Sequence, residues 1–220
     1  MSDAGQSPEV TAEARELHER GVEALREGRA LDAEDLFREA YEAGHAGAAN
    51  DLGDSLAVWR DLDGARKWWR RAADAGITGA AYSLGLHADE EGDPEEAEPW
   101  YRRAAERGNP SGAFNLGHVR LDLGNEDGAL EAWRHAADLQ HQDATLSVGI
   151  ILARGGDEDG GGEWFRRAAR EFGDPRGARK LATYYEARGD AAEATRWTAL
   201  ADRLSAPPVE VIGMSWRPDA

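Results

Sequence analysis

The sequence predicts an all-α fold, a right-handed α-solenoid of about six helix-turn-helix repeats on a 32-residue period. Three observations carry the prediction. Gly21, Gly53, Gly85, Gly117 and Gly149 recur 32 residues apart without a slip. Alanine pairs keep the same step at Ala72-Ala73, Ala104-Ala105, Ala136-Ala137 and Ala168-Ala169. Aromatic and basic runs precede the pairs: Trp68-Trp69-Arg70-Arg71, Trp100-Tyr101-Arg102-Arg103, Trp133-Arg134-His135 and Trp164-Phe165-Arg166-Arg167. A fixed period of a few tens of residues marks stacked repeats, because each unit is too short to bury its apolar face alone. Such arrays present extended surface rather than a catalytic cavity.

The first unit begins near Glu13 and carries Gly21, Ala33, Phe37 and Ala40 in the repeating slots; the second begins near Ala46. The third, Thr78 to Asn109, shows the logic most clearly. Ala81, Leu84, Gly85 and Ala88 recur at helical spacing and define a first helix, A, ending near Glu90. Gly92 suits a left-handed helix exit, Asp93 can cap the next helix, and Pro94 fits its first turn. The second helix, B, carries Ala97, Trp100, Tyr101, Ala104 and Ala105 and closes at Gly108. A glycine inside a helix costs roughly 1 kcal/mol against alanine. Its recurrence at one register therefore requires close helix approach, and the aromatic slots read as core rather than a ligand cage.

The fourth and fifth units begin near Pro110 and Gln142. In the fifth, Gly155-Gly156 and Gly160-Gly161-Gly162 mark a weak A–B turn, the second run falling at the start of helix B. The sixth begins near Pro175, offset by one residue, with Leu181-Ala182, Ala194, Trp197 and Ala201. Thr198 and Asp202 replace its outer aromatic and alanine slots, the polar substitution a terminal cap requires. The repeat thus spans residues 13–204, between a disordered stretch over 1–12 and a tail over 205–220. Pro207 and Pro208 stop the final helix, and Val209, Val211, Ile212, Met214 and Trp216 give an extended apolar run, unusual for an idle tail, that reads either as a disordered end or as a segment that docks.

This register, and above all the junction Ala72-Ala73-Asp74-Ala75-Gly76-Ile77-Thr78-Gly79-Ala80-Ala81-Tyr82-Ser83-Leu84-Gly85, resembles the tetratricopeptide-like superfamily and specifically its Sel-one-like branch. The A–B loop, as in Glu91-Gly92-Asp93, departs from that branch: it has the short tetratricopeptide length. The resemblance implies a scaffold or adaptor that binds a protein or peptide in a concave groove lined by the A helices.

Composition narrows the partners. Acidic residues outnumber basic ones by 43 to 26, for a net charge of −17. That balance opposes nucleic acid and anionic membrane, both of which need a basic footprint, and suits a basic or apolar protein segment. With no cysteine in the chain, disulfides and thiolate metal sites are impossible. Met1 to Thr11 has no basic start followed by an apolar run, and no stretch reaches the roughly 20 apolar residues of a membrane span. The expected location is the cytoplasm of a bacterium.

Chemistry finds little purchase. The histidines, at 18, 45, 87, 118, 135 and 141, form no i, i+4 pair and no His-Glu-x-x-His string, so no metal site is expected. Carboxylates lie in loop-edge runs such as Asp89-Glu90-Glu91 and Asp157-Glu158-Asp159, poor places for acid–base catalysis. The glycine runs lack the Gly-Lys-Ser/Thr of a phosphate loop. No enzyme activity and no cofactor are expected.

Tetratricopeptide-like geometry, as the resemblance implies it, points two helix A stripes inward. One reads His18, Asn50, Tyr82, Phe114, Leu146 and Arg179; its neighbour reads Val22, Asp54, Leu86, His118, Ile150 and Thr183. Tyr82, Leu86, Phe114, Leu146 and Ile150 are expected to form an apolar patch, with His118 and Arg179 completing the binding surface. Asp54 and the scarcity of lysine (only Lys67 and Lys180) break the pattern of relatives that clamp a terminal carboxylate. The occupant is a partner protein or peptide, or the chain's own tail through Ile212, Met214 and Trp216. The competing reading is a regulatory module that senses a small peptide and acts on a separate effector.

Overall fold

The computed structural model describes residues 10–206. Among them are twelve α-helices and no strand. They pair as six antiparallel hairpins: α1 (Ala12–Arg26) with α2 (Ala30–Glu42), α3 (Ala46–Val58) with α4 (Leu62–Asp74), α5 (Thr78–Glu90) with α6 (Pro94–Glu106), α7 (Pro110–Asp122) with α8 (Glu126–Asp138), α9 (Gln142–Arg154) with α10 (Glu158–Glu171), and α11 (Pro175–Ala187) with α12 (Ala191–Ser205). The chain forms two compact units, one up to His141 and one from Gln142. In the first, α2 packs on α3, α4 on α5 and α6 on α7, each a B helix on the next A helix, and α5 also touches α7. In the second, α10 packs on α11.

The A helices begin at residues 12, 46, 78, 110, 142 and 175, so the steps are 34, 32, 32, 32 and 33 residues. The 32-residue period holds through the middle and loosens at both ends. Thr11 caps α1 by accepting from the Ala14 N–H at 3.1 Å, so the first helix starts one residue before the expected edge. The final helix runs to Ser205. The tail anchors Ile212, Met214 and Trp216 lie outside the described residues.

The hairpin turns are built from one repeated device. At the end of α5, Gly92 takes φ +77°, its N–H reaches the Asp89 carbonyl, and the Asp93 N–H reaches the Ala88 carbonyl, both at 3.0 Å. That closes the helix as a Schellman turn. Asp93 then accepts from the Glu96 N–H at 2.9 Å and starts α6. Asp61, Asn125, Asp157 and Asp190 cap their B helices in the same way. Two hairpins depart from it: Arg29 gives α2 no side-chain cap, and in the second hairpin Arg60 occupies the left-handed position, at φ +67°, where the other A–B turns have glycine.

Five helical glycines share one kind of partner, the aromatic ring of the following B helix. A Cβ on Gly21 would lie 2.6 Å from Phe37, on Gly53 2.5 Å from Trp69, on Gly85 2.7 Å from Tyr101, and on Gly149 2.6 Å from Phe165; on Gly117 it would overlap the Trp133 indole. These five rings are buried. Glycine at that register lets helix B lay a large flat side chain against the backbone of helix A. The companion residues Trp68, Trp100 and Trp164 are only half-buried, each with an arginine of the next turn over its ring: Arg71, Arg103 and Arg167, at 4.2, 5.7 and 5.1 Å from the centroid.

Two further expectations meet the structure here. Thr198 and Asp202 are exposed on α12 while Trp197 and Ala201 are buried, the one-sided pattern of a cap. The run Gly160-Gly161-Gly162 lies inside regular helix, and the left-handed turn residue is Gly156, at φ +92°. Gly161 is there for space: a Cβ would stand 2.8 Å from the Gly149 carbonyl oxygen and 3.0 Å from Ala153 Cβ. Within the run, Gly161 marks a tight α9–α10 crossing, a role not read from composition. No helix among the described residues is long and apolar enough to cross a membrane.

Candidate partner-binding surface

Within the first unit, α5 sets Tyr82 and Leu86 one turn apart, and α7 sets Phe114 and His118 likewise. Tyr82 is half-buried, its ring 6.0 Å from Tyr101 at a tilt of 49°. Leu86 is 37% exposed, although Leu84 on the same helix is 3% exposed. Phe114 is half-buried; its ring stacks on His141 at 4.3 Å and meets the edge of His118 at 4.6 Å. Its carbonyl accepts from the Trp133 indole N–H at 3.1 Å. His118 is exposed, with its ring edge-on to Trp133 at 5.2 Å. The structure therefore brings Phe114 and His118 together in one aromatic cluster and places Tyr82 and Leu86 on the neighbouring helix.

His141 was not among the expected site residues. It precedes α9, and His45 holds the same position before α3, where its ring stacks on His18 at 4.2 Å. The inner slot and the junction histidine thus form a pair twice. The visible signal was the recurrence of histidine before an A helix. Burial, with His18 adding to it, holds His45 below the usual histidine range, and its Nδ1 accepts from the Ala48 N–H at 3.2 Å. His18 Nε2 lies 2.6 Å from Asp51 Oδ2.

Asp54 occupies an inner slot of α3. Its carboxylate accepts from Trp69 Nε1 at 2.7 Å and from Asn50 Nδ2 at 3.0 Å. Surrounding protein strips solvent from it and raises its pKa; the Trp69 and Asn50 donors pull the other way. Asp54 and Leu86, with Trp69 and Ser83, line a cleft of about 470 Å³.

In the second unit the expected residues separate. Leu146 is 8% exposed and packs in the core with Phe165, Leu181 and Trp197, so its slot supplies packing more than surface. Ile150 is half-buried against the same cluster and lines a cleft of about 350 Å³ with Thr183 and Tyr184. Arg179 is exposed, and its Nη2 donates to Ser205 Oγ at 2.9 Å. Among the described residues, no group of three His, Asp or Glu side chains is placed to hold a metal ion.

A tetratricopeptide-repeat family model matches residues 78–113 and 114–174. Among solved structures, a Sel1 repeat protein from Oxalobacter formigenes is 25% identical, covering 89% of this chain and 90% of its own, with a TM-score of 0.63. PilF of Pseudomonas aeruginosa is 18% identical over 87% of this chain and 91% of its own, TM-score 0.62. MamA is 21% identical over 70% of this chain and 94% of its own, TM-score 0.56. No curated protein matches the sequence. The hairpins, the register and these likenesses agree on the fold: a tetratricopeptide-like helical repeat, of a kind that generally mediates protein–protein interaction.

Proposed function

We propose that the chain is a non-enzymatic scaffold that binds a protein or peptide on the inward face of its A helices. One observation carries the reading. On the touching helices α5 and α7, Tyr82, Leu86, Phe114 and His118 stay half-buried or exposed, while Leu84 and Leu116 between them are core. Apolar side chains left open beside a saturated core mark a contact surface. Polar inner slots at His18, Asn50 and Asp54 flank them in the same unit, giving an apolar centre and a polar edge, the usual anatomy of an interface. Ile150 and Arg179 supply the corresponding contacts in the second unit, with Leu146 behind them. The partner is an apolar or basic segment, and the tail residues Ile212, Met214 and Trp216 are a candidate occupant in cis.

The test is co-purification from the organism that encodes the protein, comparing the wild type with Leu86→Asp/Phe114→Ala. With the helical circular dichroism retained, the reading expects a stoichiometric partner lost from the double variant. Deleting residues 208–220 should increase capture if the tail competes. A partner retained equally by the double variant moves the interface off this face.

A further inference from the structure

The second hairpin departs from the others at the end of its A helix. Its turn reads Val58-Trp59-Arg60, where the other A–B turns read Arg26-Glu27-Gly28, Glu90-Glu91-Gly92, Asp122-Leu123-Gly124, Arg154-Gly155-Gly156 and Ala187-Arg188-Gly189. Val58 and Trp59 are 77% and 64% exposed. Those other turns close without two bulky apolar residues, so the fold does not call for them. They border a cleft of about 650 Å³ between α1 and α3, with Val22 and Leu25 on the opposite wall.

The same cleft has a polar side made of Asp51, Asp54 and Ser55. Ser55 is 6% exposed and its hydroxyl has no hydrogen-bond partner, which is costly for a buried polar atom. Asp51 is paired with His18 at 2.6 Å, and Asp54 accepts from Trp69 and Asn50. Each carboxylate still has acceptor capacity, since an ionised carboxylate offers about four lone-pair sites. The two acids outnumber the one imidazole between them.

We propose that this cleft receives an arginine or lysine side chain of an extended partner segment, with a neighbouring apolar side chain of that segment laid on Val58 and Trp59. The chemistry of the walls selects it. The aliphatic stem of a long basic residue suits Val22 and Leu25, while its charged head reaches the carboxylates. An N–H donor from the same head gives the Ser55 hydroxyl its missing partner. The exposed indole offers an apolar face to the adjacent residue and a negative ring face to a cation. A net charge of −17 steers a basic segment toward the chain. The proposal rests on the reading that the inward A-helix face binds a peptide, and it names one side chain that the face would recognise.

The experiment selects phage-displayed random dodecapeptides on the immobilised full chain. The recovered peptides are then titrated against wild type, Asp54→Asn, Trp59→Ala and Phe114→Ala, each checked for an unchanged melting temperature. Selected peptides should carry arginine or lysine beside an aliphatic or aromatic residue. Affinity should fall about tenfold or more in Asp54→Asn and in Trp59→Ala, and equally when the basic residue becomes norleucine. Peptides without a basic residue, or peptides that bind Asp54→Asn or Trp59→Ala as tightly as wild type, overturn the pocket. If such peptides still lose affinity for Phe114→Ala, the wider groove stands without it. Binding indifferent to all three variants, or no selected peptide at all, overturns both.

Discussion

Replacing Gly85 with alanine puts a methyl group where Tyr101 already sits. The new Cβ would stand 2.7 Å from Tyr101 Cδ1, 2.9 Å from Cε1 and 3.0 Å from Cγ. Relaxed carbon contacts lie at about 3.5–4.0 Å, so the ring must back off by roughly 0.8 Å or the helices must part. Tyr101 is fully buried, and its hydroxyl donates to Asp89 at 3.3 Å, so neither motion is free. Overpacking of this kind costs about 1–3 kcal/mol, and weakening the hydroxyl bond adds about 0.5–1 kcal/mol. Alanine returns about 1 kcal/mol of helix preference. The net expectation is a loss of about 2 kcal/mol, read as a fall of roughly 4–8 °C in melting temperature. Gly79→Ala is the control, because its Cβ would meet only Asn50 Oδ1 at 3.7 Å; it should be neutral or stabilising by up to about 1 kcal/mol. In a Tyr101→Leu background the cost of Gly85→Ala should largely vanish. A Gly85→Ala protein as stable as wild type, or a cost that persists without the ring, would refute the argument that glycine is there to seat the aromatic.

Other predictions follow the same contacts. In α10, Gly161→Ala should destabilise by about 1–3 kcal/mol because its Cβ meets the rigid Gly149 carbonyl, whereas Gly162→Ala meets only the Tyr184 ring at 3.4 Å and should be neutral or stabilising in urea unfolding. Gly92→Ala should cost about 1 kcal/mol although nothing lies within 4 Å of its Cβ, because the loss is purely conformational. Arg60→Gly, at the same kind of position, should raise the melting temperature slightly. Asp174 caps α11 through the Arg176 N–H at 2.8 Å; burial pushes its carboxyl up, but the Arg176 side chain and backbone together outweigh that and hold its pKa below the usual range. A depressed carboxyl stabilises the fold above its unfolded pKa, near 4, and loses that contribution as pH falls through the folded value. Asp174→Ala should therefore cost about 1–2 kcal/mol at neutral pH, with the gap to wild type closing in strongly acidic solution.

Much of this molecule is legible in its sequence because each unit repeats the same steric problem. Gly85, Tyr101 and the Gly92-Asp93 pair each answer one local requirement, and local requirements leave periodic marks. Helix starts at Ala46, Thr78, Pro110, Gln142 and Pro175 follow from the repeating register and its turn residues. The surface is less legible, because exposure is decided by which neighbours happen to cover a slot. Leu86 and Leu146 are both expected on the inward face, yet one stands open and the other packs with Phe165 and Trp197. Trp59 is lost among tryptophans that serve as core, since only the structure shows that nothing covers it. The run Gly160-Gly161-Gly162 reads as softness, although one of its members is held by a backbone 2.8 Å away.

The inward face of the A helices is the central claim, and site-specific photocrosslinking tests it most directly. A benzophenone side chain placed at Leu86 or His118, on that face, is compared with one at the exposed B-helix positions Glu106 and Arg134. Irradiation in the organism that encodes the protein should yield one adduct of defined mass from positions 86 and 118, and none from 106 and 134. Adducts from 106 and 134 but not from 86 and 118 would contradict the account and place the binding surface on the B helices.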